Sequence, residues 1–155
     1  MQTITAKDLT KDFPRSPLAE LGGYPWLARL IDKVRAKHAG TLGEYTPFPC
    51  GGDKRFLGTV GVDADGLEAL IKGGATDEEV LAWVKAHQSA EALAAVPGYR
   101  AQMVAPIPAD ATEYQGYLRE AIAELQQAKP GLDTSKVDNF TKLICLEEGH
   151  SCPGL

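Results

Sequence analysis

Pro25-Trp-Leu-Ala-Arg-Leu-Ile-Asp-Lys-Val-Arg-Ala-Lys-His-Ala-Gly40 is the stretch on which the fold turns. Leu27, Leu30, Ile31, Val34 and His38 recur at helical spacing and line one face of an amphipathic helix. Pro25 suits its first turn, and Gly40 suits its C-terminal cap. His38, on the apolar stripe, reads as a satisfied core histidine. Arg29, Asp32, Lys33, Arg35 and Lys37 fall mostly off the stripe and read as a solvated charged face. Asp32 and Arg35, three apart, can pair there. The competing reading puts this face beneath the loop that follows, with Asp32 and Arg35 as buried partners of that loop.

Outward from this helix, the pattern stays helical. A short helix is expected after Asp53, with Asp53 as N-cap and Phe56, Leu57 and Val60 on its apolar face. Asp63 caps a helix over 64–72 that Gly73-Gly74 ends. Thr76-Asp-Glu-Glu79 is a capping box, in which the Thr hydroxyl and the Glu carboxylate satisfy free backbone N–H groups. Ser89 caps a helix that Pro97-Gly98 interrupts or ends. A long helix runs from Asp110 or Thr112 to about Ala128, with Tyr114, Tyr117, Leu118 and Leu125 on one side. Asp133 to Ser135 start a last helix to about Leu146. Residues 1–22 read as irregular, anchored by Leu9, Phe13, Leu18 and Leu21, and residues 147–155 as an irregular tail. No pair of alternating strands with a tight turn is evident. The expectation is an all-α, compact single domain over 1–155 with six or seven helices. It divides into a motif-rich half (1–88) and a second helical half (89–155).

Composition agrees and excludes several classes. The chain has 155 residues with 21 Ala and 17 Leu against 6 Ile and 8 Val, which favours helix over strand. Its longest uncharged run, Ala101 to Ala109, holds nine residues, where a membrane helix needs about twenty. The first residues, MQTITAKDLTKDFPRSP, have no apolar core of a signal peptide. A cytoplasmic location with reduced thiols is therefore expected. The net charge of −5 argues against a nucleic-acid partner. That charge is unevenly spread: nine of the sixteen Lys and Arg lie between Lys7 and Arg55, while acid dominates from Asp63 onward.

Three clusters could carry chemistry. Glu44, Tyr45, Cys50, Asp53, Lys54 and Arg55 fall within twelve positions, and Gly43, Gly51 and Gly52 let backbone approach a ligand closely. A carboxylate, a phenol, a thiol and a guanidinium suffice for acid–base work or for holding a small anion. The plainer alternative is that Glu44 caps or pairs with Arg55, Asp53 caps a helix and Tyr45 packs. The second cluster is the charged face of the first helix. The third is the tail, where Cys145, His150 and Cys152 could ligate zinc, although Cys-x4-His-x-Cys is not a common zinc spacing. The plainer reading there is one core cysteine and one exposed tail cysteine. No Walker loop, HExxH, GxGxxG or Ser-His-Asp set is present.

Asp8-Leu-Thr-Lys-Asp-Phe-Pro-Arg-Ser-Pro17, Leu21-Gly-Gly-Tyr24, Leu27-Ala-Arg-Leu-Ile-Asp-Lys33 and Gly40-Thr-Leu-Gly-Glu-Tyr45 resemble a family of small uncharacterised bacterial proteins known as a domain of unknown function. Asp53-Lys-Arg-Phe-Leu57 and Thr76 to Trp83 fit as well. The resemblance implies a bacterial, cytoplasmic protein and no particular activity. Glu148-Gly149-His150 departs from the Glu-Gly-Arg ending of that family.

The functional expectation is a small anionic ligand held by Arg29 and Arg55, with Tyr45 as a wall and Glu44 and Asp32 orienting the arginines. Cys50 and Asp53 complete the set. The alternatives are an enzyme using Glu44, Tyr45 or Cys50, a protein-interaction module, or a zinc site in the tail. No cofactor other than that zinc is expected, no membrane or nucleic-acid partner, and the oligomeric state is left open.

Overall fold

A computed structural model describes residues 4–155; of the irregular segment expected over 1–22, residues 1–3 lie outside the described residues. Seven helices and one two-stranded hairpin occur among them: β1 Glu20–Leu21, β2 Tyr24–Pro25, α1 Leu27–Ala39, α2 Gly51–Val60, α3 Ala64–Lys72, α4 Asp77–His87, α5 Ala90–Val104, α6 Thr112–Ala128 and α7 Phe140–Glu148. The all-α fold class holds. No helix is long and apolar enough to cross a membrane among the described residues. The chain forms two compact units, Met1–Tyr99 and Arg100–Leu155, and α5 carries the boundary.

In the first unit α1 is central and packs against α3 and β1. Its apolar stripe is completely buried at Leu27, Leu30, Ile31 and Val34, beside Phe56, Val60, Leu67, Val80 and Val84. The opposite face is buried as well. Arg29, Asp32 and Lys33 are each 5% exposed or less, so the expected solvated face is a correction. The N-terminal segment, the 41–50 loop and the start of α2 bring counter-charges to it, as described below. His38 is corrected in the other direction. It lies at the exposed end of α1, where its Nε2 meets Glu68 Oε2 at 3.1 Å.

The caps follow the sequence in part. Asp63 accepts the Gly66 N–H at 2.8 Å, and Thr76 and Glu79 form the expected reciprocal box. Gly40 ends α1 in the left-handed conformation. Four local expectations are corrected. Gly22-Gly23 is a hairpin turn with both φ positive (58° and 89°), pairing Leu21 with Tyr24, so Pro25 belongs to a strand. Cys50 rather than Asp53 is the N-cap of α2. Helix α5 continues through Pro97, which removes one rung without ending it. The last helix starts at Phe140, capped by Asn139, whose side chain accepts the Lys142 N–H at 2.7 Å.

The second unit buries Leu118, Leu125, Val137 and Leu143 between α6 and α7, with Ile107, Ile122 and Phe140 against them. Tyr114 and Tyr117 face solvent instead of this core. Asn139 Nδ2 also donates to the Ala105 carbonyl at 2.9 Å, tying the turn before α7 to the segment before α6.

Gly51 and Gly52 open α2 in different surroundings. A methyl at Gly52 would overlap the Trp26 indole, whereas one at Gly51 would meet open space. Gly52→Ala is therefore expected to cost about 1–3 kcal/mol through overpacking. Gly51→Ala should be neutral or stabilise by about 0.4–1 kcal/mol through the unfolded chain. Urea unfolding followed by tryptophan fluorescence checks both, because Trp26 and Trp83 both report on the first unit.

Candidate functional site

Trp26 sits between β2 and α1 with φ 75°, a conformation that costs an L-residue about 1–2 kcal/mol. What holds it is visible around the indole. Its backbone N–H donates to the Pro17 carbonyl at 2.9 Å. Its ring covers Gly52, and its Nε1–H donates to Asp53 Oδ1 at 2.8 Å. Asp53 is wholly buried. Its Oδ2 accepts the Cys50 N–H at 2.9 Å and faces Lys33 Nζ at 3.5 Å. A buried carboxylate is tolerable only when it is paired and hydrogen-bonded in this way. The same atoms make a capping box at the start of α2, in which the Cys50 sulfur stands where a hydroxyl usually does.

Lys33 reaches this point because it lies two turns along α1 from Trp26. Its Nζ also donates to Cys50 Sγ at 3.2 Å. Arg29 lies between them on the helix. Its guanidinium carbon is 5.6 Å from the centre of the Trp26 ring and 5.8 Å from that of Tyr45, within cation–π range of both. Tyr45 is half-buried on the loop, and Cys50 is half-buried beside exposed Pro49 and Gly51. Four of the expected residues, Arg29, Tyr45, Cys50 and Asp53, thus stand around one stretch of α1.

The other expected residues lie elsewhere or reach outward. Asp32 belongs to a neighbouring network, joined to Arg29 through the Arg15 carbonyl, which accepts Arg29 Nη1 at 3.4 Å. Arg15 wraps it with its backbone N–H (2.8 Å), Nε (3.0 Å) and Nη2 (3.0 Å). Arg15 Nη1 continues to Asp77 at 2.8 Å, and Asp77 is held in turn by Arg35 Nη1 at 3.0 Å. Arg35 Nη2 donates to the Ala75 carbonyl at 3.0 Å. Asp32 and Arg35 are therefore bridged through Arg15 and Asp77 rather than paired directly. Glu44 and Arg55 are exposed, and the expected Glu44–Arg55 pair is absent among the described residues. Tyr99, buried and packed edge-on to Phe56 at 6.3 Å, is close enough to feel both Arg55 and Asp53. Its hydroxyl is pushed up to about 12, mainly by burial, with the Arg55 charge opposing.

Trp26, Arg15, Asp77 and Tyr99 are residues around these networks that the sequence does not single out, and Lys33 is one that it places in the charged face of α1 without assigning it to the loop site. A signal for two of them is present: Trp26, Arg29, Lys33 and Lys37 share a helical stripe of their own. Arg15 and Asp77 carry none, being 17 and 62 positions away from their bond partners Asp32 and Arg15.

In the second unit, Cys145 is completely buried and Cys152 half-buried. His150 Nε2 meets Glu148 Oε1 at 2.9 Å. No group of three His, Cys, Asp or Glu side chains able to hold a metal occurs among the described residues.

The two networks respond differently to substitution and acid. Asp53→Ala leaves the Lys33 ammonium buried without its carboxylate, and a loss of about 3–5 kcal/mol is expected. For Asp77, burial raises the carboxyl, but the hydrogen bonds and charges of Arg15 and Arg35 outweigh it and hold it below the ordinary carboxylate range. A depressed folded value means that Asp77 stabilises the fold above about pH 4 and that this contribution fades as pH falls through the folded value. Urea unfolding at neutral and acid pH should therefore show a smaller acid loss in Asp77→Asn than in the parent.

No curated protein matches the chain. The family described as a domain of unknown function (DUF5069) matches residues 11–150, nearly the whole chain, and the protein belongs to that family.

Proposed function

We propose that this is a small-ligand-binding protein of the bacterial cytoplasm that holds a compact anion at the 43–55 loop. The observation that carries the reading is the setting of Arg29. Its buried guanidinium lies within cation–π range of two aromatic rings, Trp26 and Tyr45, and donates to the Arg15 carbonyl at 3.4 Å, and Tyr45 belongs to a loop that reaches solvent. A guanidinium fixed in this way loses little conformational freedom on meeting a carboxylate or phosphate, and its fork matches either.

The surroundings favour an anion over a cation. Asp53, the carboxylate nearest to Lys33, is turned inward and already takes hydrogen bonds from Trp26 and Cys50. The first turn of α2 adds exposed Lys54 and Arg55 beside the positive end of the helix dipole. Gly51 leaves open space there. Tyr45 supplies an apolar wall, and Arg55 is the cation that an incoming anion meets first. Asp32 acts on Arg29 through Arg15, whose side chain it holds and whose carbonyl accepts Arg29 Nη1 at 3.4 Å.

An enzymatic reading rests on half-buried Cys50, whose sulfur lies against the Lys33 amine. It needs a substrate electrophile within reach of Sγ, and the anion reading does not.

Inorganic phosphate and pyrophosphate are the direct probes. At matched ionic strength against sodium chloride, pyrophosphate should raise the melting temperature of the parent. The shift should shrink in Arg55→Ala, whose exposed side chain can be removed without disturbing the core. At about 100 times Kd the stabilisation corresponds to about 2.7 kcal/mol. Equal shifts in parent and Arg55→Ala, or none with either anion, would overturn the reading.

A further inference from the structure

Cys50 and Lys33 come from different segments, yet Nζ and Sγ lie 3.2 Å apart. The Lys33 side chain is 4% exposed, and Asp53 Oδ2 faces its ammonium at 3.5 Å, so the amine is held in place against the sulfur. The sulfur belongs to a partly exposed residue flanked by exposed Pro49 and Gly51. Cys50 is also the only cysteine of the first unit, since Cys145 and Cys152 belong to the second. Within its own unit, an oxidised Cys50 therefore has an amine and no thiol to trap it.

We propose that Cys50 is a redox-modification site, which a hydroperoxide converts into a reducible covalent Cys50–Lys33 link between α1 and the start of α2. In the first step the thiol sulfur attacks the terminal peroxide oxygen. The O–O bond breaks, the sulfur is oxidised by two electrons to sulfenic acid, and the peroxide is reduced to its alcohol, or to water for hydrogen peroxide. In the second step Lys33 gives a proton to solvent and its nitrogen attacks Sγ. An S–N bond forms, the S–O bond breaks, and the hydroxyl leaves with a proton as water. Sulfenic acids condense in this way with backbone nitrogen. A side-chain amine held at contact distance has the same advantage of proximity. An added thiol reverses the link by attacking sulfur and returning the amine. The link removes the Lys33 charge and leaves Asp53 with its two N–H donors, from Trp26 and Cys50. The proposal stands whether or not the 43–55 loop binds an anion.

The test uses the native full chain treated with hydrogen peroxide, followed by alkylation of free thiols and non-reducing peptide mapping by mass spectrometry. The expected product joins the Cys50 and Lys33 peptides, weighs two hydrogens less than their sum, and separates on adding dithiothreitol. Lys33→Arg, which keeps the charge, should lose the joined product and let Cys50 proceed to sulfinic acid. The proposal is overturned if parent Cys50 stays unmodified or goes straight to sulfinic acid. It is equally overturned if Cys50 cyclises onto the Gly51 nitrogen or pairs with Cys145 or Cys152.

Discussion

The buried carboxylate of Asp53 is the interaction around which the first unit is organised. It is wholly removed from water, and an unpaired charge in that position would cost several kcal/mol. Three donors must reach it together: the Trp26 indole, the Cys50 backbone N–H and the Lys33 ammonium. Each requirement fixes something larger. The indole holds a residue in a positive-φ backbone conformation at the entry to α1. The Cys50 N–H sets where α2 begins. Lys33 fixes the rotation of α1, so that its charged face turns toward protein instead of solvent.

The Arg15–Asp32–Asp77–Arg35 network applies the same constraint on the next part of that face. A charged stripe on a central helix can be buried only if other segments bring opposite charge to it. The N-terminal segment supplies Arg15, and the first turn of α4 supplies Asp77. Such pairs contribute less net stability than the penalty for breaking one of them. Their main effect is to dictate where otherwise irregular segments dock.

Local features are the legible part of the sequence. The helical pattern, the Thr76–Glu79 box, the Asp63 cap and the Gly40 terminus depend on neighbours within a few positions, and each is present. The Gly22-Gly23 turn is legible too, but its strands are only two residues long, too short to display alternation. The start of α2 is easily misplaced because Asp53 resembles an N-cap, while it in fact occupies the third helical position and its carboxylate accepts the N–H of the N-cap, Cys50. The charged face of α1 misleads for a different reason. Periodicity tells which residues share a face, and it does not tell what covers that face. Here the cover comes from Arg15, Asp53 and Asp77, and no local pattern names them. The candidate site is legible as a neighbourhood, in Arg29, Tyr45, Cys50 and Asp53. Its floor is not, because Trp26 and Lys33 acquire their roles only when the 43–55 loop folds over α1.

Hydrogen exchange of the Trp26 indole N–H, followed by NMR, tests the role of Asp53 most directly. The half-buried Trp83, stacked on His87 at 4.2 Å, serves as an internal control. If the Asp53 bond is part of the core, the Trp26 indole exchanges only with the global opening that also releases the slowest α1 amides. Exchange as fast as that of Trp83, while the α1 amides stay protected, would contradict the account.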